Sequence, residues 1–306
     1  MNRRDFITTT AAAVPALGLT AAAAAEQAAG KRAFKLKYGP HFGMFERSAG
    51  KDLFDQLTFI ADQGFTAFED NGLMERPPDV QQKIGDTLAR LGIAMGVFVI
   101  DGGDNWKVSL ATGRQEFKDT FLKACRAAVE TQKRVNAKWA TVVPGYFARE
   151  LPIGIQTGHV IDALKAGAEI LEKTGLVMVL EPLSDNPDLF LRTSDQSYAV
   201  CRAVGSPSCK ILYDMYHMQR NEGDIVQRIR WAWSEIAYFQ IGDNPGRKEP
   251  GTGEMNYQHL FKFIHDKAKL DGREFVFGME HGNAGPGAEG EKALIDAYVK
   301  ADSFAI

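Results

Sequence analysis

Residues 159–182, HVIDALKAGAEILEKTGLVMVLEP, decide the fold. Through Gly175 the apolar residues recur at a spacing near 3.6, and the segment ends on glycine as a helix C-cap does. LVMVL then runs on as a short, wholly apolar stretch that stops at Glu181 and Pro182, the pattern of a strand buried on both faces. Helix-then-strand recurs along the chain. The runs FKLKYGPHF (34–42), FTAFED (65–70), IAMGVFVI (93–100), WATVVPG (139–145), KILYDM (210–215), IAYFQIGD (236–243) and EFVFGME (274–280) bring the strands to eight. Helical periodicity fills the gaps at KDLFDQLTFIADQG (51–64), FKDTFLKACRAAVETQKRVN (117–136) and NYQHLFKFIHDKAKLDG (256–272). Eight alternations predict the α/β class and a single closed (β/α)8 barrel over residues 32–306. An open doubly wound sheet is the alternative, but no glycine-rich dinucleotide fingerprint follows the first strand.

With 306 residues, 45% hydrophobic and 25% charged, the chain can bury a sizeable core. Residues 1–25 form a separate element: a basic start, a modestly apolar middle and a run of alanines before Glu26. Arg3 and Arg4 followed by Phe6 and Ile7 look like a twin-arginine signal, which implies export of a folded protein to the periplasm. The apolar stretch is too short and alanine-rich to favour a membrane span. Its removal deletes Arg3, Arg4 and Asp5 and takes the formal charge from −3 to −4, a poor balance for nucleic-acid binding. A homo-oligomer is among the assemblies the sequence admits. Cys125, Cys201 and Cys209 lack metal-type spacing; Cys125 reads as a buried packing residue, and a Cys201–Cys209 bridge is open in an oxidising compartment.

In such a barrel the active site lies at the C-terminal ends of the strands. The last four strands end on Glu181, Asp214, Gln240 and Glu280, each after an apolar run. One carboxylate there is commonly a helix N-cap; four oxygen-bearing side chains on consecutive strands converge on the barrel mouth. Three carboxylates and an amide form a hard, oxygen-rich set suited to Mg²⁺ or Mn²⁺. Without a cation the carboxylates would repel, and one or more would hold a proton.

LEPLS (180–184), YDMYH (213–217), FQIGDNPGRKEPGTGEMNY (239–257) and GMEHG (278–282), in this order, resemble the hydroxypyruvate isomerase family of xylose isomerase-like TIM barrels. The resemblance runs from GFTAFED (64–70) to GMEHG. It implies that Glu181, Asp214, Gln240 and Glu280 are divalent-metal ligands and that Glu181 and Glu280 are also the catalytic pair. Related epimerases typically carry histidine where this chain has Gln240. His217 is implied to hydrogen-bond substrate, with orientation of Asp214 as the other reading.

The loop after the seventh strand turns through Pro245 and Gly246, which would aim Arg247 over the mouth, where its planar fork suits a carboxylate or a pair of sugar oxygens. A surface ion pair to Glu249 or Glu254 is the alternative, and Glu254 and Asn256 stand where a helix cap is expected. His41 ends the first strand as a substrate-binding residue or a packed ring. Glu69 and Asp70 end the second, where one lines the pocket. Trp231 and Trp233 read as barrel packing.

An α-hydroxycarbonyl held by these groups could be deprotonated by one glutamate and reprotonated on the neighbouring carbon, giving isomerisation through an enediolate. Epimerisation, or lyase or hydrolase chemistry on ketoses or 3-keto-glycosides, uses the same enediolate. A non-catalytic periplasmic sugar-binding barrel is a further reading. A multi-zinc nuclease is disfavoured by only six histidines.

Overall fold

Each of the eight apolar runs contributes a strand, and the shortest of them show where the barrel interior is polar. The computed structural model describes residues 32–306 except 101 and 105; the expected export segment, 1–25, lies outside the described residues. The strands are β1 (Lys37–Gly39), β2 (Ala67–Phe68), β3 (Ala94–Met95), β4 (Trp139–Val142), β5 (Val177–Leu180), β6 (Cys209–Asp214), β7 (Ile236–Gln240) and β8 (Val276–Gly278). All pairings between them are parallel, in the order β1-β8-β7-β6-β5-β4 with β2-β3 alongside. The bridges His41–Glu69 and Val99–Thr141 join the two groups on either side and close the ring.

A helix follows every strand: Leu53–Asp62, Pro78–Leu91, Gln115–Val135, Ile153–Leu171, Ser194–Val204, Ile225–Ala232, Tyr257–Leu270 and Gly287–Ala301. Their ends carry recognisable signals. The Asp52 carboxylate accepts from the N–H groups of Phe54 and Asp55 at 2.8 and 3.1 Å, and Asn256 caps Tyr257–Leu270 by accepting from His259 N. Such caps satisfy donors that have no partner within the helix, each worth about 1 kcal/mol. No described helix is long and apolar enough to cross a membrane.

Apolar residues form two cores. The larger lies between the strands and the helices; the smaller fills the barrel with Ala67, Val97, Val179, Leu212, Tyr238 and Val276. Because strand side chains alternate with period two, the parity that sends Ala67, Val179, Leu212 and Tyr238 inward also sends Glu69, Glu181, Asp214 and Gln240 inward, one layer higher. On β8 the same step after Val276 is Gly278, and Glu280 follows above it.

The third run yields only two residues of regular strand. A Cβ at Gly96 would sit 2.3 Å from the Tyr238 hydroxyl, so the chain there leaves room for a polar group inside the barrel and pairs irregularly beyond it. Trp233 packs as expected, with Nε1 donating to Asp271 at 2.6 Å, whereas Trp231 is 62% exposed on the outer face of its helix and packs in no core. Cys125, Cys201 and Cys209 are free, buried thiols, so the Cys201–Cys209 bridge left open by the sequence is not formed.

Candidate active site at the barrel mouth

Asp214 shows how the chain builds the site. It is the last residue of β6 and the N-cap of the short helix Met215–Asn221, with Oδ1 accepting from Tyr216 N at 2.7 Å. The cap fixes the carboxylate and leaves Oδ2 toward the mouth, 3.3 Å from Arg247 Nη2 and 3.4 Å from His217 Nε2. A cap and a site carboxylate are therefore one residue. His217 lies in the first turn of this helix, because the Asp214 cap starts the helix at once.

The imidazole of His217 is fully buried. Its Nδ1 faces the N–H of Ser184 at 3.2 Å and the Ser184 hydroxyl at 2.8 Å. A backbone N–H can only donate, so the hydrogen-bond pattern assigns the proton of the neutral ring to Nε2. Burial lowers the pKa of the ring, which keeps it neutral despite Asp214. Nε2 is 3.8 Å from Glu181 Oε1, 3.7 Å from Asp185 Oδ2 and 3.2 Å from Arg247 Nη2. Two N–H groups thus stand side by side, an arrangement that an oxygen-rich ligand between them would satisfy.

Glu181, Asp214, His217 and Glu280 bring ligand atoms within 4.8 Å of one another. Burial, then the neighbouring Glu280 and Asp214, push the Glu181 carboxyl well above its ordinary range. The Glu280 carboxyl is pushed up to about 7 by burial against the pull of Arg247, even though 24% of its side chain stays open to solvent. Asn71 donates to Glu280 Oε1 at 2.9 Å and holds its rotamer. Among the described residues, the buried oxygens Glu181 Oε1 and Gln240 Oε1 have no hydrogen-bond partner. An unpartnered buried acceptor costs about 1–3 kcal/mol, and a cation is the ligand that would satisfy both while relieving the carboxylate repulsion. The donor set fits a hard divalent ion, with His217 donating beside it.

The loop between β7 and the helix Tyr257–Leu270 is organised by Asp243, whose side chain the sequence did not single out. Its buried carboxylate accepts four backbone N–H groups, from Asn244 and Met255 on Oδ1 and from Gly251 and Gly253 on Oδ2, at 2.8–3.1 Å. A Cβ on Gly253 would lie 1.7 Å from Asn244 O, so only glycine permits this closure. Rigid, charged sequence follows a buried strand here because it must fold back over the mouth and present Arg247. Arg247 sits at φ 50°, a left-handed conformation costing about 1–2 kcal/mol outside glycine. The cost is offset by Arg247 N donating to Asp243 O at 2.8 Å and Gly282 N donating to Arg247 O at 3.1 Å. Its guanidinium donates to the Glu280 backbone oxygen through Nε and to Glu280 Oε2 through Nη2, and lies 4.9 Å from the Tyr216 ring centre. Burial opposes the guanidinium charge, but Glu280, Asp214 and Glu181 more than compensate and raise its pKa.

The alternative pairing of Arg247 with Glu249 or Glu254 is not formed. Glu249 is buried and accepts from Ala284 N, and Glu254 accepts from Gln219. His41 is not drawn into the cluster: its Nδ1 is 2.8 Å from Phe42 O and its Nε2 3.4 Å from His281 O. Of the two acids ending β2, Asp70 pairs with Arg76 at 2.5 Å, while Glu69 turns inward and is fully buried. Asn71, Ser184 and Asp185 also reach the site without having been read from the sequence; only a fold placing them at strand ends reveals them.

Residues 57–298 match the family model of the xylose isomerase-like TIM barrel. The chain belongs to that family. Among xylose isomerase-like relatives, hydroxypyruvate isomerase of Escherichia coli is 34% identical over 164 residues, covering 52% of this chain and 61% of that protein. The chain thus spans less than two thirds of that curated relative's length. The 3-dehydro-D-guloside 4-epimerase of the same organism is 25% identical over 224 residues, 69% of this chain and 82% of the relative. In fold, the chain is similar to the crystal structure of an AP endonuclease, family 2, from Brucella melitensis, with a TM-score of 0.73, 20% identity, and coverage of 86% and 99%.

Proposed function

We propose that this protein is a divalent-cation-dependent isomerase of α-hydroxycarbonyl compounds, similar in activity to hydroxypyruvate isomerase. The carrying observation is the cluster of Glu181, Asp214 and Glu280, together with buried oxygens on Glu181 and Gln240 that have no hydrogen-bond partner among the described residues. Glu181, Asp214, Gln240 and Glu280 would hold Mg²⁺ or Mn²⁺. When bound, the cation would polarise the substrate carbonyl and stabilise the enediolate charge.

The chain's own residues do the rest. Arg247 and His217 offer adjacent N–H groups to substrate oxygens, and Tyr216 beneath the guanidinium restricts where that fork can point. Glu181 and Glu280 serve as the proton-handling pair. A carboxyl lifted toward neutrality accepts a C–H proton and returns it more readily than one of ordinary acidity. One glutamate shuttling the proton between neighbouring carbons isomerises; two acting on opposite faces epimerise.

A second reading, epimerisation or lyase chemistry on 3-keto-glycosides, is favoured by the longer match to the guloside epimerase and by the proposed export of the chain through Arg3 and Arg4 to the periplasm. The test is proton NMR in D₂O of the Mn²⁺-free, Mg²⁺-loaded protein with hydroxypyruvate, free ketoses and 3-keto-glycosides. Deuterium entering a C–H position of hydroxypyruvate supports the first reading, and deuterium entering only a 3-keto-glycoside supports the second. Absence of exchange in all three overturns both.

A further inference from the structure

Beside the mouth residues, on the β2 side of the barrel, lies a buried polar group that the proposed chemistry does not use. Glu69 is fully buried, and its side-chain hydrogen-bond partners among the described residues are the uncharged Tyr238 and Gln240. Its carboxylate receives the Tyr238 hydroxyl at 3.2 Å and the Gln240 Nε2 group at 3.4 and 3.5 Å from its two oxygens. Two glycines make the space: a Cβ on Gly278 would lie 1.9 Å from Glu69 Oε2, and one on Gly96 would lie 2.3 Å from the Tyr238 hydroxyl. Barrel interiors are ordinarily filled by branched apolar side chains, so a carboxylate housed this way calls for a task.

The task follows from the chemistry of an amide. Gln240 has an oxygen end that can ligate a cation and an NH₂ end that cannot, and nearly identical shapes let either end face either way. Among its contacts the NH₂ end meets Glu69, and the oxygen end is buried without a partner. We propose that Glu69 is a positioning residue: it holds the Gln240 amide in the orientation that presents Oε1, the ligating end, to the cation. Tyr238 completes the device by anchoring the Glu69 carboxylate against rotation. The inference rests on the proposed cation site, and outer groups of this kind are worth about 10–100-fold in metal affinity.

The device is tested on the full-length mature protein by calorimetric titration with MnCl₂ and by ¹H–¹⁵N NMR of the Gln240 side-chain amide, assigned by its loss in Gln240→Glu. Glu69→Leu removes the acceptor and should raise the Mn²⁺ Kd about 10-fold or more. Glu69→Gln removes the charge but keeps an acceptor oxygen, with its NH₂ donating to the Tyr238 oxygen, and should stay within about threefold of wild type. Equal losses in both variants would mean that charge and not orientation matters, and would overturn the proposal, as would an unchanged Kd in Glu69→Leu. The amide reading needs no metal and is made on the wild type, with Gln240→Glu serving only to assign the resonance. In the metal-free wild type the Gln240 NH₂ protons should exchange slowly with water, and rapid exchange overturns the device. Slow exchange in a protein that binds no Mn²⁺ would instead sink the cation site and leave the orientation of Gln240 by Glu69 standing.

Discussion

Arg247 Nη2 lies 2.7 Å from Glu280 Oε2 and 3.3 Å from Asp214 Oδ2, so one guanidinium nitrogen ties together the ends of β6 and β8 from a residue on the loop after β7. Only the left-handed backbone at Arg247, held by Asp243, brings it there. Arg247→Ala is expected to raise KM more than it lowers kcat, because the lost group holds substrate in ground and transition states alike. Arg247→Lys should recover little, since a point charge cannot reproduce the fork. Steady-state kinetics on whichever substrate shows deuterium exchange would decide; a fall in kcat with unchanged KM would place Arg247 in the chemical step.

Glu280→Gln keeps an oxygen, the volume and an amide able to meet Asn71, but it removes the proton acceptor. Turnover should fall by about 10²-fold or more, the low end for losing a general base, while a substrate analogue still binds. Glu181→Gln should behave alike, and the double variant should lose less than the product of the two, since both belong to one coupled site. Wild-type rates of deuterium exchange in both variants would remove Glu181 and Glu280 from the proton chemistry.

Asp214→Ala removes a carboxylate and a helix cap together. Divalent binding should be lost by elemental analysis, and the metal-free protein should lose about 1 kcal/mol through the uncapped helix. Asp214→Asn separates the two effects, because an amide oxygen caps as well as a carboxylate does. It should retain stability and still bind Mn²⁺ poorly. Undiminished metal content in Asp214→Ala would remove Asp214 from the ligand set.

The Glu280 carboxyl, raised to about 7 in the folded protein, favours the native state when protonated. Its contribution is complete below the ordinary carboxyl range and is lost as the pH rises through about 7. Metal-free protein should therefore lose Tm between pH 5 and pH 8. His217, whose lowered pKa acts with the opposite sign, is separated out by comparing wild type with Glu280→Gln, which should lose less over that interval. Mn²⁺ should reverse the trend, with a Tm gain that grows with pH because ligands bind deprotonated. A metal-free Tm difference between the two proteins that does not change from pH 5 to pH 8 would contradict the shift.

Replacing Arg3 and Arg4 by lysine should leave the precursor inside the cell, with mature chain beginning near Glu26 found only for wild type. Fractionation followed by N-terminal sequencing checks both points. Normal export of the double variant would refute the twin-arginine reading.

The succession of apolar runs and helical periods determined the barrel, since a strand buried on both faces reads as continuous hydrophobic sequence whatever its neighbours are. The same succession placed Glu181, Asp214, Gln240 and Glu280 at equivalent strand ends, because strand ends are a local property. Tertiary structure decided what local sequence cannot carry. Parity along β2 sent Glu69 inward and left Asp70 to Arg76, and Gly278, 209 residues further along the chain, provided the space for that carboxylate. The Asp214 carboxylate became cap and site at once, through the helix that begins directly after it. Asp243 is one of several acids in its loop sequence, yet it gathers four backbone N–H groups that come together only when the loop closes. Hydrogen bonds are short-ranged and directional, so the partners of these residues are settled by which strands lie side by side, and that is a property of the closed ring and not of any one segment.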